Sequence, residues 1–318
     1  MIRRIFGSAA FPQEILSPIV ALGNFDGVHR AHVKLLEQVH TWAKHYRGTT
    51  VVYTFDPHPV KMLSPESCPP LLQTQEQKLL ALEKQGIEIC VLEPFTTEFS
   101  QKTPEYFLEE ILHRRLRAKC IVVGYDFTFG MRRAGNIPLL EKFCREHQID
   151  IHIVPAQFQK ETLMSSTHIR KLLLSGDIAR ANSLLGYPYQ LWGEVVRGRG
   201  LGESLGAHTA NLELENELIP ADGVYLTRTE ILEESSKIFP SITSIGNNPT
   251  FPGSERTVET HFLDQVIEVQ GKRLSVHFLE WMREQIAFET PDALKHQIAA
   301  DLHAARKRHE IDQRTHFS

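Results

Sequence analysis

The sequence predicts an α/β doubly wound parallel sheet, Rossmann-like, over residues 1–186, then a small antiparallel β-barrel domain with a C-terminal helix over 187–318. Three observations carry that expectation. Short, continuously apolar strand candidates alternate with helix candidates in the first part, the pattern of a parallel sheet covered on both faces. From about Tyr187 short strand candidates separated by turn residues take over, as in a closed antiparallel unit. One last helix follows, with Thr290 as N-cap, Pro291 at its first position and Leu294, Ile298 and Leu302 at i, i+4 and i+8.

In chain order, "SPIVALG" is the first strand candidate, and His29 to Tyr46 reads as a helix with Leu36, Val39 and Ala43 on one stripe. "TTVVYTF" is β-branched, and "TQEQKLLALEKQG" is helical until Gly86. "IEICVLEPF", "TPEYFLEEILHRRL", "CIVVGYDF", "IPLLEKFCREH" and "IDIHIVPA" continue the alternation. Two short helices, "THIRKLLLSG" and "IARANSLLG", lead to a boundary in "LLGYPYQLW". The barrel strands are "YQLWGEVVRGRG", "DGVYLTRTEIL", "PSITSIG", "RTVETHFLD" and "KRLSVHFLEW".

Composition narrows the function. A formal charge of −4 argues against a general nucleic-acid or anionic-membrane partner. No apolar run is long enough to span a bilayer, and no secretory signal is expected from the opening residues. Cys68, Cys90, Cys120 and Cys144 form no C-x-x-C pair, which points to free thiols in a reducing, cytoplasmic compartment. Sixteen histidines include no spacing of a structural zinc site.

"GNFDGVHRAH", from Gly23 to His32, carries the first chemistry. Gly23 and Gly27 permit tight turns and close approach of backbone amides to a ligand. His29 and His32, three apart at a helix start, share a face beside free N–H groups, a pocket fit for a triphosphate. "SSTHIR" places Ser165, Ser166 and Thr167 before a second helix, with Arg170 on its first turn, where a plain N-cap needs one hydroxyl. Each motif alone also fits a simple turn or cap.

Together, "GNFDGVHRAH" and "SSTHIR" resemble the paired signatures of the nucleotidylyltransferase superfamily. "TFDPHP", "VVGYDFTFG", "RRAGN", "GEVVRGRGLGESLGAHTANLEL", "GVYLT", "SIGNNPTF" and "VETHFLD" narrow the likeness to the prokaryotic bifunctional riboflavin kinase/FMN adenylyltransferase family, along nearly the whole chain. The resemblance implies that His29, His32, Ser165, Ser166, Thr167 and Arg170 hold ATP, while Gly23, Phe25, Asp26 and Gly27 shape the loop. It puts Phe55, His58, Asp126, Phe127 and Phe129 on the flavin side. In the second module it implies that Gly198, Gly202 and Gly206 wrap phosphates, that Thr209 and Asn211 bind Mg²⁺ and ATP, and that Glu259 is the general base. The implied substrates are riboflavin, FMN and ATP, and the catalytic set is His29, His32, Arg170 and Glu259.

The chain departs from the family pattern at Ala31, where H-x-G-H is usual, and at Glu203, Ala207 and His208, where arginine, a bulky apolar residue and proline are usual. Kinase activity is expected to persist with weaker ATP binding. Two other readings stay open here: an adenylyltransferase with a degenerate flavin-binding module, and a non-catalytic flavin or nucleotide binder.

Overall fold

In the computed structural model, which describes residues 1–197, 209–234, 237–247, 256–265 and 267–315, the apolar runs of the first half form one sheet. Its strands are β1 (Arg3–Phe6), β2 (Ile19–Leu22), β3 (Thr50–Asp56), β4 (Ile89–Pro94), β5 (Cys120–Gly124) and β6 (Asp150–Val154). All pair in parallel, in the order β1-β4-β3-β2-β5-β6. The four inner strands are almost wholly buried, which is why they read as unbroken apolar runs. β1 is an addition to the predicted set: on the edge it buries only Ile5, so "RRIF" has no apolar run to show.

Alternate strand residues feed two cores. Val20, Leu22, Val51, Tyr53, Val91 and Val123 lie in one, and Ile19, Ala21, Val52, Cys90, Leu92 and Val122 in the other. The helices are α1 (Arg30–Tyr46), α2 (Pro59–Leu63), α3 (Gln75–Lys84), α4 (Thr97–Ser100), α5 (Pro104–Tyr106) and α6 (Ile137–Glu146). α1 buries Leu35, Leu36, Val39 and Ala43, the predicted stripe plus one residue. α3 opens with a capping box: Gln77 N–H donates to Thr74 Oγ1 at 3.2 Å, and Thr74 N–H donates to Gln77 Oε1 at 2.8 Å. α5 runs into a π-helical segment, Phe107–Arg115, where Leu116 N–H donates five residues back to Ile111 at 2.9 Å. The segment buries Phe107, Leu108, Ile111 and Leu112, a pattern that reads in sequence as an ordinary helix. A two-residue hairpin, β7 (Phe158–Gln159) with β8 (Thr162–Leu163), is too short for sequence periodicity to reveal.

By contacts the chain divides into Met1–Ser166 and Thr167–Ser318. α7 (Ser166–Leu174) and α8 (Ile178–Leu185) precede the strands β9 (Tyr189–Val196), β10 (Thr209–Leu214), β11 (Gly223–Ile231), β12 (Ile238–Asn247), β13 (Arg256–Phe262) and β14 (Arg273–Arg283). These close into an antiparallel barrel, β10-β13-β12-β11-β14-β9. α9 (Pro291–Thr315) begins as predicted, with Ala293 N–H donating to Thr290 Oγ1 at 3.2 Å. Its Leu302 and Ala305 pack on Val224, Leu226, Ile242 and Leu263, and Asp301 accepts from Arg283 Nε at 3.0 and 3.1 Å.

The barrel interior is partly polar. Thr227, Thr229, Ser241, Thr243 and Thr260 are fully enclosed, and their hydroxyls form a closed ring with spacings of 2.8, 2.8, 3.4, 2.9 and 2.8 Å. Each polar group thereby finds partners that water can no longer supply. No helix among the described residues is long and apolar enough to cross a membrane.

Phe129 and Gly135 exchange both backbone hydrogen bonds, at 3.1 and 2.9 Å, and fold the loop after β5 back onto the core. A Cβ at position 135 would lie 2.5 Å from the buried Phe129 ring. Gly135→Ala is therefore expected to destabilise the fold by about 1–3 kcal/mol, measured by urea unfolding. An unchanged midpoint would contradict this contact.

Candidate nucleotide and flavin sites

Strand order reverses between β2 and β5, the point at which open α/β sheets collect ligands beyond the carboxyl ends of their strands. "GNFDG" leaves β2 there, and "YDFTFG" leaves β5. The first loop turns through three left-handed residues, Phe25 (φ 50°), Gly27 (φ 87°) and Val28 (φ 34°). Two of them carry side chains, and both are buried: Phe25 and Val28 are anchored in the core on the α1 face. Gly23 leaves room for the Phe25 ring, since a Cβ there would stand 3.1 Å from it. Asp26 is 3% exposed, and its carboxylate accepts Leu72 N–H at 3.0 and 3.2 Å.

His29 is the N-cap residue of α1, and its ring stacks on that of His32 with centroids 3.8 Å apart. The predicted shared face is thus a stacked pair. Nδ1 of His32 is enclosed and has no hydrogen-bond partner. Burial, then the neighbouring His29 and Lys78, hold the pKa of His32 well below the usual histidine range. His32 is therefore neutral near pH 7, and can enter the chemistry as a hydrogen-bonding ring rather than as a cation.

Ser166 Oγ donates to the Asp26 carbonyl at 2.8 Å, so the first residue of α7 reaches the "GNFDG" loop. Its proton is committed to backbone. Ser165 is half-buried, Thr167 exposed and Arg170 buried. Sequence reading missed Lys78, on α3 and 8% exposed, whose pKa burial lowers while the nearby Asp26 carboxylate pulls it back up. Nothing local marks it: Gln77, Lys78 and Leu79 are buried together by packing, which the periodicity of a helix does not announce.

The phenylalanines among the flavin-side candidates belong to the opposite face of the sheet. Phe129 is part of that core, with Phe55 and Phe127 half-buried against it. Phe127 and Phe129 stack at 5.6 Å. His58 caps α2, its Nδ1 accepting Val60 N–H at 3.3 Å, and Asp126 is exposed. Phe129 is thereby a packing residue, leaving Phe55, Phe127, His58 and Asp126 as the more accessible members of the set.

In the barrel, Thr209 and Asn211 stand on β10, and Asn211 pairs in register with Glu259 on β13. Glu259 in turn pairs with Ser244 on β12. Asn211, Glu259 and Ser244 are each half-buried and flanked along their strands by fully buried residues, so they share the outer face of the barrel wall. Thr257 Oγ1 donates to Glu259 Oε1 at 3.2 Å, and Gln285 Nε2 donates to Ser244 Oγ at 2.8 Å. Ser244 and Gln285 were not singled out in the sequence because only strand register brings Ser244 beside Glu259, and only a side-chain hydrogen bond brings Gln285 to Ser244. Gly198, Gly202 and Gly206, with Glu203, Ala207 and His208, lie outside the described residues.

A histidine whose folded pKa is depressed stabilises the fold fully above its unfolded value of 6.5, and that contribution is lost as pH falls below it. His32→Gln is expected to flatten the fall in stability between about pH 6.5 and 5, read as urea midpoints against the unsubstituted protein. A slope equal to that of the unsubstituted protein would contradict a neutral, desolvated His32.

Comparison with known proteins joins these two regions. A family model described as FAD synthetase matches residues 12–168, and one described as riboflavin kinase matches residues 185–309. A bifunctional riboflavin kinase/FMN adenylyltransferase of Escherichia coli (strain K12) is 33% identical over 307 residues, covering 96% of this chain and 97% of that one. A protein of the same description from Listeria monocytogenes is 32% identical, covering 90% of each chain. A crystal structure described as a macrolide-efflux protein from Streptococcus pneumoniae shares the fold at a TM-score of 0.85 and 29% identity, over 96% of this chain and 99% of that one. Two family models in tandem and relatives matched almost end to end show that the chain belongs to the bifunctional riboflavin kinase/FMN adenylyltransferase family, with both activities in one polypeptide.

Proposed function

We propose that the two transfers are divided along the chain, with residues 1–186 adenylylating FMN and residues 187–318 phosphorylating riboflavin. The start of the riboflavin kinase match at residue 185 supports this boundary. The observation that carries the first half is the Ser166–Asp26 hydrogen bond, because it puts Ser166 against the loop that leaves β2 at the strand-order reversal. There His29, His32, Ser165 and Ser166 bind ATP, and the enclosed, unpartnered Nδ1 of His32 is a ring nitrogen left for such a ligand. Thr167 and Arg170, on the helix that Ser166 opens, keep the roles the resemblance gives them. Gly23, Phe25, Asp26 and Gly27 hold the loop, and Phe55, His58, Asp126 and Phe127 face the isoalloxazine side over Phe129. An FMN phosphate oxygen attacks the α-phosphorus of ATP, the Pα–O bond to the β-phosphate breaks, and pyrophosphate leaves. The protein's contribution is alignment and hydrogen bonding to the developing charge.

In the kinase half, Glu259 accepts the proton of the ribityl 5′-hydroxyl as that oxygen attacks the γ-phosphorus, and ADP leaves. The in-register Asn211–Glu259 pair supports this role, and Thr257 orients the carboxylate. Thr209 and Asn211 offer a hydroxyl and an amide oxygen, hard donors that fit Mg²⁺. Bound with the nucleotide, Mg²⁺ supplies neutralisation of phosphate charge. Gly198, Gly202 and Gly206 remain assigned to the phosphates by resemblance. The acidic balance supports a protein without nucleic-acid or membrane partners. Four free cysteines, with burial pushing the thiols of Cys90, Cys120 and Cys144 up to about 12, support a cytoplasmic location.

Chromatography of products formed from riboflavin, ATP and Mg²⁺ tests the division. His32→Ala is expected to slow FAD formation from FMN by at least about 100-fold while riboflavin phosphorylation continues. Glu259→Gln is expected to do the reverse, by about 100-fold or more. If either variant lost both activities while remaining folded, or neither lost any, the assignment would fail.

A further inference from the structure

We infer that Glu109, His113 and His147 form a binding site for a divalent first-row transition ion, Zn²⁺ in particular, separate from the residues assigned to either transfer. One ligand atom from each of the three lies within 4.8 Å of the other two. Glu109 and His113 are four apart in the π-helical segment, and His147 is the C-cap of α6. All three are half-buried, so water can reach the site and complete the coordination.

The hydrogen bonding around His147 gives the site its direction. Nδ1 of His147 lies 3.0 Å from the Phe143 carbonyl, which can only accept, so Nδ1 carries the proton. In the neutral ring, Nε2 then presents a lone pair, and it lies 3.5 Å from Glu109 Oε2. Two lone-pair groups facing one another need a cation between them, either a proton or a metal. The spacing favours the metal. It exceeds the roughly 2.7–3.2 Å of an N–H···O bond. It is close to the roughly 3.3 Å that separates tetrahedral ligands bound at about 2.0–2.1 Å from Zn²⁺.

The surroundings are those of a held ligand set. Arg114 Nε donates to the other Glu109 oxygen at 3.1 Å, leaving Oε2 to face the histidines. The His147 ring stacks on Phe143 at 4.0 Å, and His113 meets it edge-on at 4.7 Å. A carbonyl on the far nitrogen of a ligating histidine and a hydrogen bond to the ligating carboxylate are the usual outer partners of such a site. Two imidazoles and one carboxylate suit Zn²⁺ over Mg²⁺ or Ca²⁺. The chain between the two helices carries β5 and the loop of Asp126 and Phe127, so the ion would brace both supports of that loop.

Equilibrium dialysis of the full-length protein against Zn²⁺, with Mg²⁺ in large excess, followed by metal analysis, tests the inference. One retained Zn²⁺ per chain and a Zn²⁺-dependent rise in Tm are expected. His147→Gln and, separately, His113→Asn should each weaken binding at least about tenfold and abolish the rise in Tm. Co²⁺ in place of Zn²⁺ should give visible bands in the unsubstituted protein that both variants lose. Failure to retain Zn²⁺, or equal retention by folded variants, would overturn the site. Neither result bears on the transfer reactions, which the product assay reads separately.

Discussion

Asp26 is the residue on which the turn after β2 depends. Its carboxylate is out of water and must be compensated, and it is: Leu72 N–H donates to both oxygens, and Lys78 lies near enough to feel the charge. Its own carbonyl takes the proton of Ser166. One residue thus ties the loop after β2, the approach to α3 and the start of α7. Removing the Asp26 carboxylate would leave the Leu72 N–H without its acceptor and the buried Lys78 without the negative charge that offsets its desolvation.

Around that anchor the sheet separates two kinds of surface. The histidine pair is built from the α1 face, where Phe25 and Val28 are sunk into the core. The aromatic set is built from the other face, where Phe127 stacks on Phe129 and Phe55 meets Tyr53, Phe95 and Phe99. A parallel strand exposes neither face along its length, so both sets emerge only at its carboxyl end. The geometry of a sheet buried on both sides brings a polar and an aromatic wall to one rim.

Much of this was legible in the sequence because the signals were local. The inner strands showed as apolar runs, α1 as a stripe, and the α9 cap as Thr290 before Pro291. β1 was hidden because an edge strand needs only Ile5 inside, and β10 because "TANLEL" was read for its chemistry rather than its alternation. Of the candidate site residues, those in contiguous motifs were found, and those supplied by register, by a side-chain hydrogen bond or by a distant helix, Ser244, Gln285 and Lys78, were not. Glu109, His113 and His147 illustrate the same limit. Their spacing follows no metal-binding pattern, and only the packing of α6 beside the π-helical segment assembles them.

The hydroxyl ring inside the barrel carries a consequence of its own. Each of its five members has one proton to give, so if every contact is filled, the protons must all circulate in the same sense. Reversing one reverses the rest, unless Thr260 turns aside to the Ile242 carbonyl, 3.4 Å away, and opens the circle. Replacing one threonine by valine keeps the volume but strands a neighbour's lone pair or proton in the dark interior. The middle of this barrel is therefore free to evolve only by concerted exchange, several hydroxyls at a time, whereas the apolar shell around it can change one methyl group at a time.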